Sequence, residues 1–152
     1  LQAMYGRNGE SPVIVIAAST PANCFDYAFE ASRLAVEHMT PVILLTDGYI
    51  ANGSEPWKVK SINEMPSITP RIITGESDEI GPFDRDNDKL ARNWAIPGTA
   101  GLEHRIGGLE KDELTGNVSQ QPVNHEHMTD VRAEKVKRVA NYIPALEPEF
   151  DK

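Results

Sequence analysis

The chain has 152 residues, 39% of them hydrophobic and 25% charged, with a net charge of −8. That length suits one domain with a core of its own, and the acidic balance excludes a nucleic-acid backbone as a natural partner. No apolar run approaches the roughly 18–20 residues of a membrane helix, and no basic-then-apolar leader opens the chain.

The single cysteine, Cys24, excludes an internal disulfide and an all-cysteine metal or iron–sulfur site. A reducing, cytoplasmic setting is expected. Leu1–Tyr5 reads as the end of a helix, stopped at Gly6 or Gly9. Val13–Ala18 is a continuous, β-branched apolar run, suited to a strand buried on both faces of a parallel sheet. A helix of about 18 residues is predicted next, with Thr20 as N-cap and Pro21 as its first residue. Phe25, Ala28, Phe29, Ser32, Val36 and Met39 form its core face, and Thr40-Pro41 ends it. Val42–Thr46 is a second buried strand, closed by Asp47-Gly48. The result is a β-α-β unit spanning 1–56, part of a doubly wound α/β parallel sheet, where ligands sit at the carboxyl ends of the strands.

Residues 57–122 are rich in Gly, Pro and acidic residues and poor in periodicity, so a long irregular arm is expected. Pro70–Thr74 suits a short strand, and Lys89–Trp94 a helical turn or an irregular piece. Residues 123–152 hold a helix from about Asn124 to Ile143, with Glu134 and Arg138 as a favourable pair four apart, and then a linker. The helical start and the closing Glu147–Lys152 segment together suggest a piece of a longer protein.

Glycine-rich phosphate loops are absent from Ala17–Pro21. The helix start there still offers free N–H groups to an anion, although a plain turn explains it as well. Cys24 sits where a helix dipole lowers a thiol pKa, but with no base partner it reads as a core thiol. His125 and His127 lie two apart on a helix and do not converge, so no metal site is expected. The Gly101–Glu113 stretch offers His104 and Arg105 as substrate-binding candidates, either for an acidic ligand or as part of a solvated charged loop. Asp47, Gly48, Asn52 and Ser54 leave a strand end and serve equally well as a cofactor- or interface-proximal loop or as a structural turn.

Val42–Trp57, together with the Thr20–Pro41 unit before it and Gly101–Arg105 followed by Gly116, resembles the pyrimidine-type domain of 2-oxoacid:ferredoxin oxidoreductase α subunits, the 2-oxoglutarate type in particular. The resemblance implies oxidative decarboxylation of a 2-oxoacid to an acyl-CoA, with thiamine diphosphate between this domain and a β subunit. It also implies that the β subunit holds the diphosphate and magnesium, that iron–sulfur clusters lie outside this chain, and that ferredoxin takes the electrons. The family's opening Tyr-Pro-Ile-Thr-Pro motif and activating glutamate have no counterpart here. Pro66-Ser67-Ile68-Thr69-Pro70 mimics the motif in the wrong place, and the later transketolase-like domain is missing. The chain is therefore expected to bind no cofactor, to be catalytically silent alone, to have no catalytic residue or metal of its own, and to self-associate through open strand edges. The alternatives are a stand-alone flavodoxin-like ligand-binding or regulatory domain, which would hold a phosphate at Ser19–Thr20 or Asp47–Gly48, and a scaffold with no site.

Overall fold

A computed structural model describes residues 1–75 and 80–145. Eight elements run in order: α1 (Gln2–Tyr5), β1 (Ile14–Ala17), α2 (Cys24–Glu37), β2 (Val42–Leu45), α3 (Gly48–Asn52), β3 (Ile72–Ile73), β4 (Trp94–Ala95) and α4 (Pro122–Arg138). One-turn 3-10 helices cover Ile62–Glu64 and Val139–Tyr142. The expected linker at Glu147–Lys152 lies outside the described residues.

β1 and β2 are parallel, with Ile14 opposite Val42 and Ala17 opposite Leu45, and α2 connects them. Period-two alternation puts Ile14, Ile16 and Val42 in one apolar cluster with Leu34 of α2 and with Val136 and Val139 from the end of the chain. Leu34 is 1% exposed and anchors this core. Within β1 only Ile14 is fully buried, and Leu45 at the end of β2 is 41% exposed. The expected burial on both faces is thus corrected: among the described residues these strands pair only with each other, which leaves both outer edges open.

The helix begins later than the sequence suggested. Asn23 is its N-cap and Cys24 its first residue, while Thr20–Asn23 form a preceding turn. In that turn the Thr20 Oγ1 accepts from the Asn23 N–H at 3.4 Å and the Asn23 Oδ1 accepts from the Thr20 N–H at 3.2 Å. This reciprocal pair satisfies donors that a longer helix would otherwise have used. At the other end Met39 takes a left-handed φ of 44°, and the Thr40 N–H reaches back to the Ala35 carbonyl at 3.2 Å, a Schellman-type closure without glycine.

The arm is more ordered than its composition suggests. β3 and β4 form a second parallel pair, Ile72 opposite Trp94, so Lys89–Trp94 feeds a strand. Side chains tie this region to the first unit: the Trp94 indole N–H donates to the Val36 carbonyl at 2.9 Å, and Lys89 pairs with Glu37 at 2.9 Å. From α4, Lys135 donates to the Met39 carbonyl at 3.0 Å and Arg138 to the Asn87 carbonyl at 2.6 Å. The accessible surface is 11235 Å², against about 7,700 Å² for a compact monomer of this mass. So much open surface fits a part that completes its packing against further protein.

Candidate functional site: a cationic cleft beside His104 and Arg105

Two concave regions meet at His104 and Arg105. The larger, about 670 Å³, is walled by Arg92, Asn93, Trp94, Leu102 and Lys111. The smaller, about 440 Å³, lies across the Glu103–Arg105 ridge, with Phe83 and Gly116 at its base. Gly116 has a φ of +68°, and an added Cβ would fall 2.1 Å from the Phe83 ring, so only glycine lets that ring seat where it does. Phe83 in turn carries both flanking groups. The Arg92 guanidinium stacks 4.9 Å from its ring centroid, and His104 meets its ring edge-on at 5.7 Å and 83°.

His104 Nδ1 lies 2.8 Å from the Leu102 carbonyl, which can only accept. Nδ1 therefore carries the proton, and Nε2 of the neutral ring is an acceptor. Arg105 is exposed and, among the described residues, makes no ion pair with Glu103, Glu110 or any other acid.

Arg85, Arg92, Arg132 and Lys135 gather behind the cleft. Arg85 lies 3.7 Å from Glu113, and Arg132 pairs with Glu10 and, at 3.0 Å, with Glu110. Arg92 and Lys135 have no carboxylate partner among the described residues. Burial, reinforced by Arg85, Arg92 and Arg132, pushes the Lys135 ammonium down to about 8. Burial likewise lowers Arg85, with Arg92 adding to the effect, and burial alone lowers Arg92. Uncompensated buried cations are costly, and a bound anion relieves that cost.

The other predicted loop is built differently. Asp47 caps α3, its Oδ1 accepting from the Ile50 N–H at 2.8 Å, and Asn52 donates to the Gly48 carbonyl at 2.7 Å. Ser54 and Asn52 line a separate hollow of about 460 Å³ with Ser19, Thr20 and Tyr49. Glu55 already occupies the Ala22 N–H at 2.9 Å, so the donor that would greet a phosphate at this turn is filled by a carboxylate. The loop and the cleft share no lining residue. Cys24 Sγ contacts the Thr20 carbonyl at 3.5 Å. His125 and His127 are drawn to two different acids, Glu110 at 3.0 Å and Glu113 at 2.5 Å.

Arg92, Asn93, Trp94, Lys111 and Lys135 went unread as site residues in the sequence. The available signal was the Arg92-Asn93-Trp94 run, a cation beside an aromatic just before the Pro97-Gly98 turn that brings the chain back to His104.

The family "Pyruvate flavodoxin/ferredoxin oxidoreductase, thiamine diP-bdg" matches residues 1–122. The chain belongs to that family. Among oxidoreductase relatives, the 2-oxoglutarate oxidoreductase subunit KorA of Mycobacterium tuberculosis is 51% identical over 147 residues, covering 97% of this chain and 22% of that protein. The α subunit of 2-oxoacid:ferredoxin oxidoreductase 2 of Aeropyrum pernix is 30% identical, covering 95% of this chain and 22% of its own length. A solved structure of 2-oxoglutarate:ferredoxin oxidoreductase from Magnetococcus marinus, with 2-oxoglutarate, coenzyme A and succinyl-CoA bound, superposes with a TM-score of 0.82 at 27% identity, over 99% of this chain and 26% of that one. The chain thus spans about a fifth to a quarter of the length of these three relatives, and its α/β fold with parallel strands is the fold of their thiamine-diphosphate-binding region.

The described residues contain no group of three or more His, Cys, Asp or Glu side chains placed to share a metal ion. No helix among the described residues is long and apolar enough to cross a membrane.

Proposed function

We propose that this chain is a segment of the α subunit of a 2-oxoglutarate-type 2-oxoacid:ferredoxin oxidoreductase, and that the cleft beside His104 and Arg105 receives the carboxylate end of the 2-oxoacid. The cleft supports this most directly: stacked and exposed guanidinium groups, with apolar Trp94 and Leu102 between them, suit a short organic dicarboxylate. In the complete enzyme the reaction is oxidative decarboxylation to an acyl-CoA, passing electrons to ferredoxin. Thiamine diphosphate supplies the carbanion-stabilising chemistry there. On this reading thiamine diphosphate lies between this domain and a β subunit, which holds the diphosphate and magnesium, and the iron–sulfur cluster lies in a partner subunit. The working setting is the cytoplasm. The reading divides the chain into residues 1–56 as supporting scaffold, 57–122 as the arm bearing the cleft, and 123–152 as the closing helix and linker.

By itself the chain is expected to turn over no 2-oxoacid and to self-associate through the open edges of β1 and β2. A stand-alone phosphate-binding domain is the weaker reading, because Glu55 fills the donor such a ligand would use. The test is Arg105→Ala in the assembled α–β enzyme. A selective fall of about tenfold in kcat/KM for 2-oxoglutarate relative to pyruvate is expected from a lost charged hydrogen bond. Equal activity on both acids would remove Arg105 from the substrate contact.

A further inference from the structure

We propose that Arg92, alongside the more exposed Arg105, is a specificity-determining residue of this cleft and holds the distal carboxylate of a dicarboxylic 2-oxoacid. The inference rests on the reading of the cleft as the 2-oxoacid site. Four observations single out Arg92. Its guanidinium carbon lies over the Phe83 ring, 4.9 Å from the centroid, so part of its freedom is lost before any ligand arrives, whereas Arg105 is exposed and must be immobilised on binding. Phe83 can take this position because Gly116 leaves it room: its ring fills the space a side chain at position 116 would need.

The backbone carrying Arg92 is also held. The neighbouring Asn93 is 2% exposed and donates its amide to the Gly81 and Asp84 carbonyls at 2.9 and 3.4 Å. Finally, Arg92 lacks a carboxylate partner among the described residues while Arg85, Arg132 and Lys135 stand behind it; Glu10, Glu110 and Glu113 are engaged with Arg132 and Arg85, and Glu103, which shares the lining of the cleft, makes no ion pair with Arg92. A guanidinium held over an aromatic ring, unpaired among the described residues and in a field of like charge, suits an anion. A monocarboxylic 2-oxoacid would leave it unpaired, so discrimination comes from the partner that is missing as much as from the contact that is made.

In the complete α–β enzyme, Arg92→Met keeps an apolar stem against Phe83 and removes the charge. The expected result is a fall of about tenfold or more in kcat/KM for 2-oxoglutarate with less than about twofold change for 2-oxobutyrate. Arg92→Lys should restore part of the difference. Hydrogen exchange in the wild-type enzyme gives a readout free of turnover and of any variant's folding: glutarate should slow the amides around Arg92, and butyrate should not. Unchanged selectivity in Arg92→Met, an equal fall on both acids, or absence of glutarate protection overturns the assignment. If Arg105→Ala alone shifts selectivity in the same series, the cleft reading stands and Arg92 is dismissed. If neither variant shifts it, both fall.

Discussion

The β-α-β unit and the arm that follows it are stabilised by different physics. In the first, Ile14, Leu34 and Val139 meet in an apolar cluster, and removing that surface from water supplies the stability. In the second, two two-residue strands are held by side chains reaching backbone carbonyls far away in sequence, Trp94 to Val36 and Asn93 to Gly81. The first kind of order is nearly indifferent to charge. The second places Arg92, His104 and Arg105 around one cleft, where Arg92 and Arg105 have no ion-pair partner among the described residues.

The largest expected effect comes from the core. Leu34→Ala should cost about 2–5 kcal/mol in denaturant unfolding. Because the arm is tied to α2 through Val36 and Glu37, both regions should lose amide protection together. Loss confined to α2 and β1 would mean that the arm stands without the core. Gly116→Ala probes the opposite direction. Its methyl would collide with Phe83 at a φ of +68°, costing about 2–4 kcal/mol. Protection should vanish around Trp94 and His104 while Ile14–Ala17 stays slow to exchange.

Lys135 gives the third test, with a sign fixed by linkage. Its folded-state pKa, about 8, lies below the ordinary lysine value of 10.5. The unfolded chain therefore binds more protons between those values, and stability rises with pH across that window. Below pH 8 the full penalty is present, so Lys135→Met should stabilise the fold at neutral pH by about 1–3 kcal/mol. It should also flatten the rise between pH 8 and 10.5, as followed by thermal unfolding. A destabilised variant would mean that its bond to the Met39 carbonyl outweighs the burial of charge. The smallest effect is expected at the other loop: Asp47→Ala removes the cap on α3 and should cost about 1 kcal/mol without changing substrate selectivity.

The same division decides what the sequence reveals. Val13–Ala18 and Val42–Thr46 announce strands as apolar runs and α2 announces itself by spacings of three and four, but the buried face of α2 was misread: Phe25, Ala28 and Ser32 are exposed and Leu34 is the residue sealed in the core. Its first turn was misplaced because Thr20 and Asn23 satisfy each other locally, a contact that Thr20-Pro21 imitates as a cap. The arm carries no period because its order lies in single polar contacts between distant residues. His104 and Arg105 were singled out from their glycine-rich setting, and the structure places both on the cleft. Arg92 was not, since its placement depends on Phe83 and Gly116, nine residues before it and twenty-four after it, which no local pattern connects.

The most direct measurement is calorimetric titration of glutarate into the complete α–β enzyme carrying Arg92→Met with Arg105→Ala, beside one carrying Asp47→Ala with Asn52→Ala. The cleft pair should weaken glutarate by about tenfold or more, and the loop pair should bind as wild type does. Wild-type affinity in the cleft pair, or loss in the loop pair alone, would contradict the assignment of the anion to the cleft.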